Sequence, residues 1–182
     1  MFDRIIEQLT YNPREPLIFS TSLFLFLFLG FTFVYMLLQK HLKPRLLFVI
    51  LFSYYFYYKT SGFYFGLLAL VTVSDYLIAK AIFRSSATRS SLVIPRLLVA
   101  LSLMIDLGLL FYFKYTNFFA GMWAQMVGSN FQPWDIFLPV GISFFTFQSM
   151  SYVIDVYRRD LRPLPSLLDY AFYVSFFPQL VA

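Results

Sequence analysis

The chain has 182 residues, of which 60% are hydrophobic, 23% are aromatic and only 13% are charged. Soluble domains carry charge on roughly a quarter of their residues, so this composition excludes a water-soluble globular protein and indicates that lipid solvates most of the surface. The net charge of +5 comes from lysines and arginines in short loops between apolar runs, which is typical of membrane orientation and argues against a nucleic-acid partner. Because there is no cysteine, disulfides, thiolate metal sites and cysteine nucleophiles are also excluded.

Apolar runs recur along the chain at lengths suited to a bilayer, whose hydrocarbon core is crossed by roughly 20 helical residues. The predicted spans lie near residues 17–38, 46–58, 62–83, 97–113, 136–157 and 170–182. Ahead of them, near residues 1–12, apolar side chains share one face of a short helix of the kind that lies at a membrane interface. We therefore predict an all-α polytopic membrane protein with about five to six transmembrane helices, forming a single membrane domain over residues 1–182.

The basic residues alternate between the loops that join these spans. When Lys80, near the end of the third span, is counted with the loop that follows it, successive loops carry three, one, four, one and three lysines and arginines. Because cytoplasmic loops are enriched in these residues, the pattern places the loops near residues 40, 90 and 160 in the cytoplasm and the N-terminus outside.

Three acidic residues fall within predicted spans, namely Asp75, Asp106 and Asp155. Each costs roughly 2.5–3.5 kcal/mol at the centre of a membrane helix on insertion scales, so we expect each to face protein or a wet cavity. For Asp75, beside Thr72 and Ser74, an interhelical hydrogen bond to a hydroxyl is the favoured interpretation. Asp106 has no good partner within its own helix, and both a structural and a functional interpretation stay open.

A polar stripe runs along the fifth predicted span. Its members recur at steps of three and four and therefore share one helical face; they are Phe144, Gln148, Ser151, Asp155 and Arg158, with Tyr152 and Arg159 flanking them. An intrahelical pair between Asp155 and either arginine can form at this spacing. The stripe predicts a helix that either packs into a bundle through its polar side or lines a cavity.

The segment containing this stripe, residues 138–158 (LPVGISFFTFQSMSYVIDVYR), resembles the signature segment of the membrane-bound O-acyltransferases, in the branch of the alginate O-acetylation and teichoic-acid D-alanylation proteins. Residues 112–118 (YFKYTNF) resemble the turn after the fourth span of that family, and residues 74–76 (SDY) resemble a motif on its third span. Residues 176–182 (FFPQLVA) are similar to the start of a further family stretch. The resemblance implies the N-terminal portion of a larger helical bundle.

The same resemblance implies a funnel in which an acyl group from a cytoplasmic donor meets an acceptor hydroxyl from the outer side at a buried histidine. The group is expected to be acetyl and the acceptor an exported polysaccharide such as alginate, with D-alanyl transfer left open. It also implies the plasma (inner) membrane of a bacterium, partner acetylation proteins on the outer side, and no bound cofactor, because the acyl donor is a substrate. The candidates for lining the funnel are Gln148, Ser151, Tyr152, Asp155 and Arg158.

His41 is the single histidine of this chain, and it lies in a basic, polar loop that does not match the family's catalytic position. We therefore expect no catalytic residue within residues 1–182 and no activity from this portion alone. The sequence contains no metal-ligand cluster. The alternative hypothesis is a multi-pass transporter or flippase without acyl-transfer chemistry, for which intramembrane aspartates and a polar stripe would also be suitable.

Overall fold

The computed structural model describes residues 10–11, 22–87 and 93–181, and the regular secondary structure in this part of the chain is entirely helical. The helices are α1 (Ser22–Leu37), α2 (Leu42–Ser61), α3 (Phe65–Ala87), α4 (Val93–Leu110), α5 (Thr116–Val127), α6 (Ile142–Arg158), α7 (Leu167–Ser175) and α8 (Phe177–Val181). The all-α prediction is confirmed. The predicted interfacial helix near residues 1–12 and the first part of the first span lie outside the described residues, apart from residues 10–11.

Two continuous stretches, Leu42–Ser85 and Val93–Val127, are long and apolar enough to cross a membrane, and Ser22–Leu37 is a shorter apolar helix. The first stretch contains α2 and α3, joined by a 3₁₀ turn at Gly62–Tyr64. These helices, with the composition, indicate a membrane protein. The number of five to six spans stays a prediction.

The fourth predicted span is longer in the structure than in the sequence-based prediction. It begins at Val93. Residues 112–118, predicted to form a turn, are instead helical: the first of them belong to a π-helical turn at Phe111–Tyr115, and the rest begin α5. The predicted turn is therefore wrong, and its segment has neither glycine nor proline to stop a helix. The helix ends only at Gly128, whose left-handed conformation (φ 70°) lets its amide donate to carbonyls of the last turn.

The fifth predicted span is shorter in the structure, and the sixth is broken into two helices. Residues 136–141 are not helical, and α6 starts after Gly141. The backbone φ of Gly141 is 72°, a value that residues other than glycine rarely adopt. The span predicted from residue 170 is divided at Phe176 between α7 and α8. Pro178 follows in the first turn of α8, where its missing N–H is tolerated, whereas it could not continue the hydrogen bonding of α7.

Lys59 is the one basic residue of the loop predicted between the spans 46–58 and 62–83, but the structure places it in the last turn of α2, where its side chain is buried. Its ammonium group donates to the Thr10 carbonyl. A buried ammonium needs such a partner because its transfer from water is expensive. The charge of Lys59 is thus satisfied within the protein rather than by water in a loop.

The described chain forms two compact units, residues 1–73 with 164–182, and residues 74–163. The core of the first unit is aromatic. The Phe177 ring lies 5.1 Å from Phe52, 5.6 Å from Phe56 and 5.7 Å from Phe31, measured between ring centroids. The Phe177 amide also donates to the Ser53 hydroxyl at 3.2 Å. In the second unit, α4 packs against α6, and this packing positions the polar groups described next.

Candidate functional site

Four completely buried polar side chains form a group in the second unit, which we name the carboxyl cluster. Its members are Asp75 on α3, Ser102 and Asp106 on α4, and Ser149 on α6. Ser102 and Asp106 are four residues apart, so both project from the same face of α4. The cluster therefore joins three helices through side chains that have no contact with solvent.

Asp75 is the acceptor at the centre of the cluster. The Ser102 hydroxyl donates to its Oδ1 at 2.6 Å, and the Ser149 hydroxyl donates to its Oδ2. The predicted interhelical hydrogen bond of Asp75 is confirmed, but its partners come from distant helices, and the neighbouring Thr72 donates to the Leu68 carbonyl instead. Neither serine was identified from the sequence. The one available signal was that Ser102 precedes Asp106 by one helical turn in an otherwise apolar segment.

Asp106 has a different environment from Asp75. It lies one turn from Ser102 on the same face of α4, and because Ser102 contacts Asp75, the two acids are neighbours. Among the described residues, no hydroxyl, amide or cationic group donates to either of its oxygens. Asp106 thus faces protein, as expected for an aspartate within a span, and its neighbour there is a second acid.

The polar stripe of α6 lies mainly on the accessible side of this helix. Gln148 and Asp155 are half-buried, Ser151 and Arg158 are exposed, and Tyr152 belongs to the opposite, buried face. The Arg158 Nε lies 3.1 Å from the Asp160 carboxylate, beyond the helix end. The intrahelical pair considered for Arg158 with Asp155 is therefore replaced by a pair with Asp160.

An open hollow of about 480 Å³ lies at the N-terminal end of the stripe, lined by Ser143, Phe144, Phe147 and Gln148. All four lining residues belong to α6, and the hollow is open rather than enclosed. The Lys114 ammonium group donates to the Ser143 hydroxyl at 3.1 Å, which places a cation beside one of the lining residues. The hollow combines two aromatic walls with an amide and a hydroxyl, a lining suited to a mostly apolar group with a polar end.

His41 lies immediately before α2 and is exposed. A general base needs a partner that orients it and a substrate within hydrogen-bond reach.

Within the described part of the chain, no group of three or more histidine, cysteine, aspartate or glutamate side chains is arranged to hold a metal ion.

The chain is similar over 91% of its length to curated bacterial O-acetyltransferases. It is 38% identical to the probable alginate O-acetylase of Pseudomonas aeruginosa, 36% identical to that of Azotobacter vinelandii and 34% identical to the peptidoglycan O-acetyltransferase of Helicobacter pylori. It covers 32%, 33% and 36% of these proteins, so the chain spans about a third of the length of the relatives it matches. No family model and no solved structure matches it.

The apolar helices and these relatives together show that the chain resembles one portion of the bacterial membrane O-acetyltransferases. More narrowly, it is similar to the alginate O-acetylases, and the resemblance first seen in the segment 138–158 is confirmed.

Proposed function

We propose that the whole protein transfers an acetyl group to hydroxyls of an exported bacterial polysaccharide, and that this chain supplies part of its membrane frame. The observation that carries the proposal is the similarity over 91% of the chain to O-acetyltransferases named for alginate and for peptidoglycan. Both named acceptors are carbohydrate polymers with free sugar hydroxyls. A polysaccharide hydroxyl is therefore the proposed nucleophile, and an activated acyl compound is the proposed donor and a substrate rather than a cofactor.

Acyl transfer to a hydroxyl requires a base that removes the hydroxyl proton as the new ester bond forms. The exposed position of His41 does not suit this role, so we propose that a histidine elsewhere in the whole protein serves as the base. The hollow beside Gln148 is proposed as part of the funnel wall, since its lining is mostly apolar with a few polar groups, as in ligand-binding sites. Ser151, Asp155 and Arg158 would extend this wall along α6.

The proposed location is the plasma membrane of a bacterium, crossed several times. The two long apolar stretches support this proposal, and so does the alternation of basic residues between loops. In this arrangement the acyl donor approaches from the cytoplasm, while the polysaccharide and partner acetylation proteins lie outside. The rival hypothesis of a transporter is less favoured, because the relatives are named as transferases.

Deleting the full-length gene is expected to remove O-acetyl esters from one cell-envelope polysaccharide while the amount of that polysaccharide outside the cell stays the same. Ester-linked acetate released by mild alkali and the extracted polymer should both be measured, with the full-length gene restored as a control. Unchanged acetyl content of every envelope polysaccharide would contradict the proposal. Loss of the polymer itself from the cell exterior would instead support a transporter.

A further inference from the structure

The two acids of the carboxyl cluster, Asp75 and Asp106, share a buried environment that favours a net charge of one over a net charge of two on the pair. Asp75 and Asp106 are both 0% exposed, and Ser102, which donates to Asp75, lies one turn from Asp106 on the same face of α4, so the two acids are neighbours. Two ionised carboxylates only accept hydrogen bonds, so as buried neighbours they repel each other. Because burying each charge is costly, a proton between the two groups is the simplest way to join them.

The hydrogen-bond donors around the pair distinguish its two members. Asp75 receives a serine hydroxyl on each carboxylate oxygen, from Ser102 and Ser149, and such donors stabilise the charged form of a carboxyl group. Asp106 receives no donor from the described residues, although it is equally buried. A carboxyl group in that environment is better stabilised as the neutral acid, which can itself donate.

We propose that Asp106 is a protonated carboxylic acid that donates a hydrogen bond to ionised Asp75, so that the carboxyl cluster is a proton-binding site within the membrane domain. Asp75 then accepts from Ser102, Ser149 and Asp106, and the cluster carries one negative charge. The proton completes a network that joins α3, α4 and α6. This inference is independent of the proposed acyl transfer.

A monovalent metal cation is the competing occupant of such a pair. It would need the oxygen lone pairs of the surrounding side chains as ligands, whereas both serine hydroxyls already direct their hydrogens toward Asp75. A proton requires no rearrangement of these bonds. The geometry therefore favours the proton.

Infrared spectroscopy of the full-length protein in lipid nanodiscs, with aspartate ¹³C-labelled at its side-chain carboxyl carbon, tests the proposal. At neutral pH the wild type should show an isotope-sensitive carbonyl band of a protonated carboxylic acid. Asp106→Asn should remove this band, because the amide can still donate to Asp75 but holds no acidic proton. Asp75→Asn should retain it, because Asp106 stays buried and neutral. Asp135→Asn, in an exposed loop, is the matched control and should leave the band unchanged.

Asp106→Glu provides a second test if the asparagine variant does not fold, because it keeps a carboxylic acid but removes the label from this position. The isotope-sensitive band should then disappear from a folded protein. Persistence of the full band in both Asp106 variants, or its loss in Asp75→Asn alone, would overturn the assignment. A second result would also overturn it: the unfolding temperature of the wild type rises when sodium replaces a bulky organic cation at constant ionic strength, and that of Asp106→Asn does not. Such a result would identify a bound metal cation.

Discussion

Asp75→Ala in the full-length protein is expected to destabilise the membrane domain by about 3 kcal/mol. The substitution removes the acceptor of the Ser102 and Ser149 hydroxyls and leaves Asp106 without its carboxyl neighbour. All three groups are completely buried, so water does not replace the lost partner. A loss of this size increases the unfolded fraction about a hundredfold. The measurements are the midpoint of thermal unfolding in detergent and the yield of monodisperse protein.

Asp135→Ala is the matched control, because it removes the same carboxylate from an exposed loop position. Its unfolding midpoint should equal that of the wild type. Asp75→Asn should lie between the two, since an amide oxygen still accepts but the negative charge is lost. If Asp75→Ala unfolds at the wild-type midpoint, the carboxyl cluster does not stabilise the fold.

Phe177→Ala is the second substitution with a large expected effect, at about 3 kcal/mol of lost stability. The Phe177 ring lies at the centre of the aromatic core of the first unit, 3% exposed and in contact with rings from α1 and α2. Lipid is as apolar as this core, so the loss comes from the cavity and its missing contacts more than from transfer to water. The expected loss of stability is therefore at the lower end of the range for buried phenylalanines. Unfolding in detergent, followed by aromatic circular dichroism, measures it.

Phe33→Ala is the control for this substitution, because the Phe33 side chain on α1 is 65% exposed. It should change the midpoint far less than Phe177→Ala does. Equal effects of the two substitutions would show that aromatic content, rather than the packing around Phe177, stabilises this unit. No effect of either one would contradict the described core.

The helical class could be predicted from composition and apolar periodicity, because lipid exposure requires each segment to satisfy its own backbone hydrogen bonds. Helix ends were harder to predict. The π-helical turn at Phe111–Tyr115 and the break at Phe176 depend on local backbone hydrogen bonding that hydropathy does not record. Lys59 was misplaced for a related reason, since a basic residue at the end of an apolar run can be buried against a backbone carbonyl from elsewhere in the chain.

In the candidate site too, relations within one helix could be predicted from the sequence, whereas contacts between helices could not. Helical spacing is enough to put Gln148, Ser151 and Asp155 on one side of α6 and Tyr152 on the other, because that relation lies within one helix. The partners of Asp75 could not be predicted, since Ser102 and Ser149 are 27 and 74 residues away in sequence and are brought close by helix packing. The adjacency of Asp75 and Asp106 has the same origin. Whether the stripe serves acyl transfer is still a prediction.

Acetyl ester content per molecule of protein in the membrane, measured for Gln148→Leu in the full-length protein, tests the proposed role of this chain most directly. Leucine makes α6 more apolar, so insertion and protein level should be unchanged. If the hollow beside Gln148 positions a reacting group, polysaccharide acetylation should fall about tenfold or more, while Asp135→Asn keeps the wild-type value. Wild-type acetylation by Gln148→Leu, at a normal protein level, would contradict a funnel at this face and leave the α6 stripe with a packing role alone.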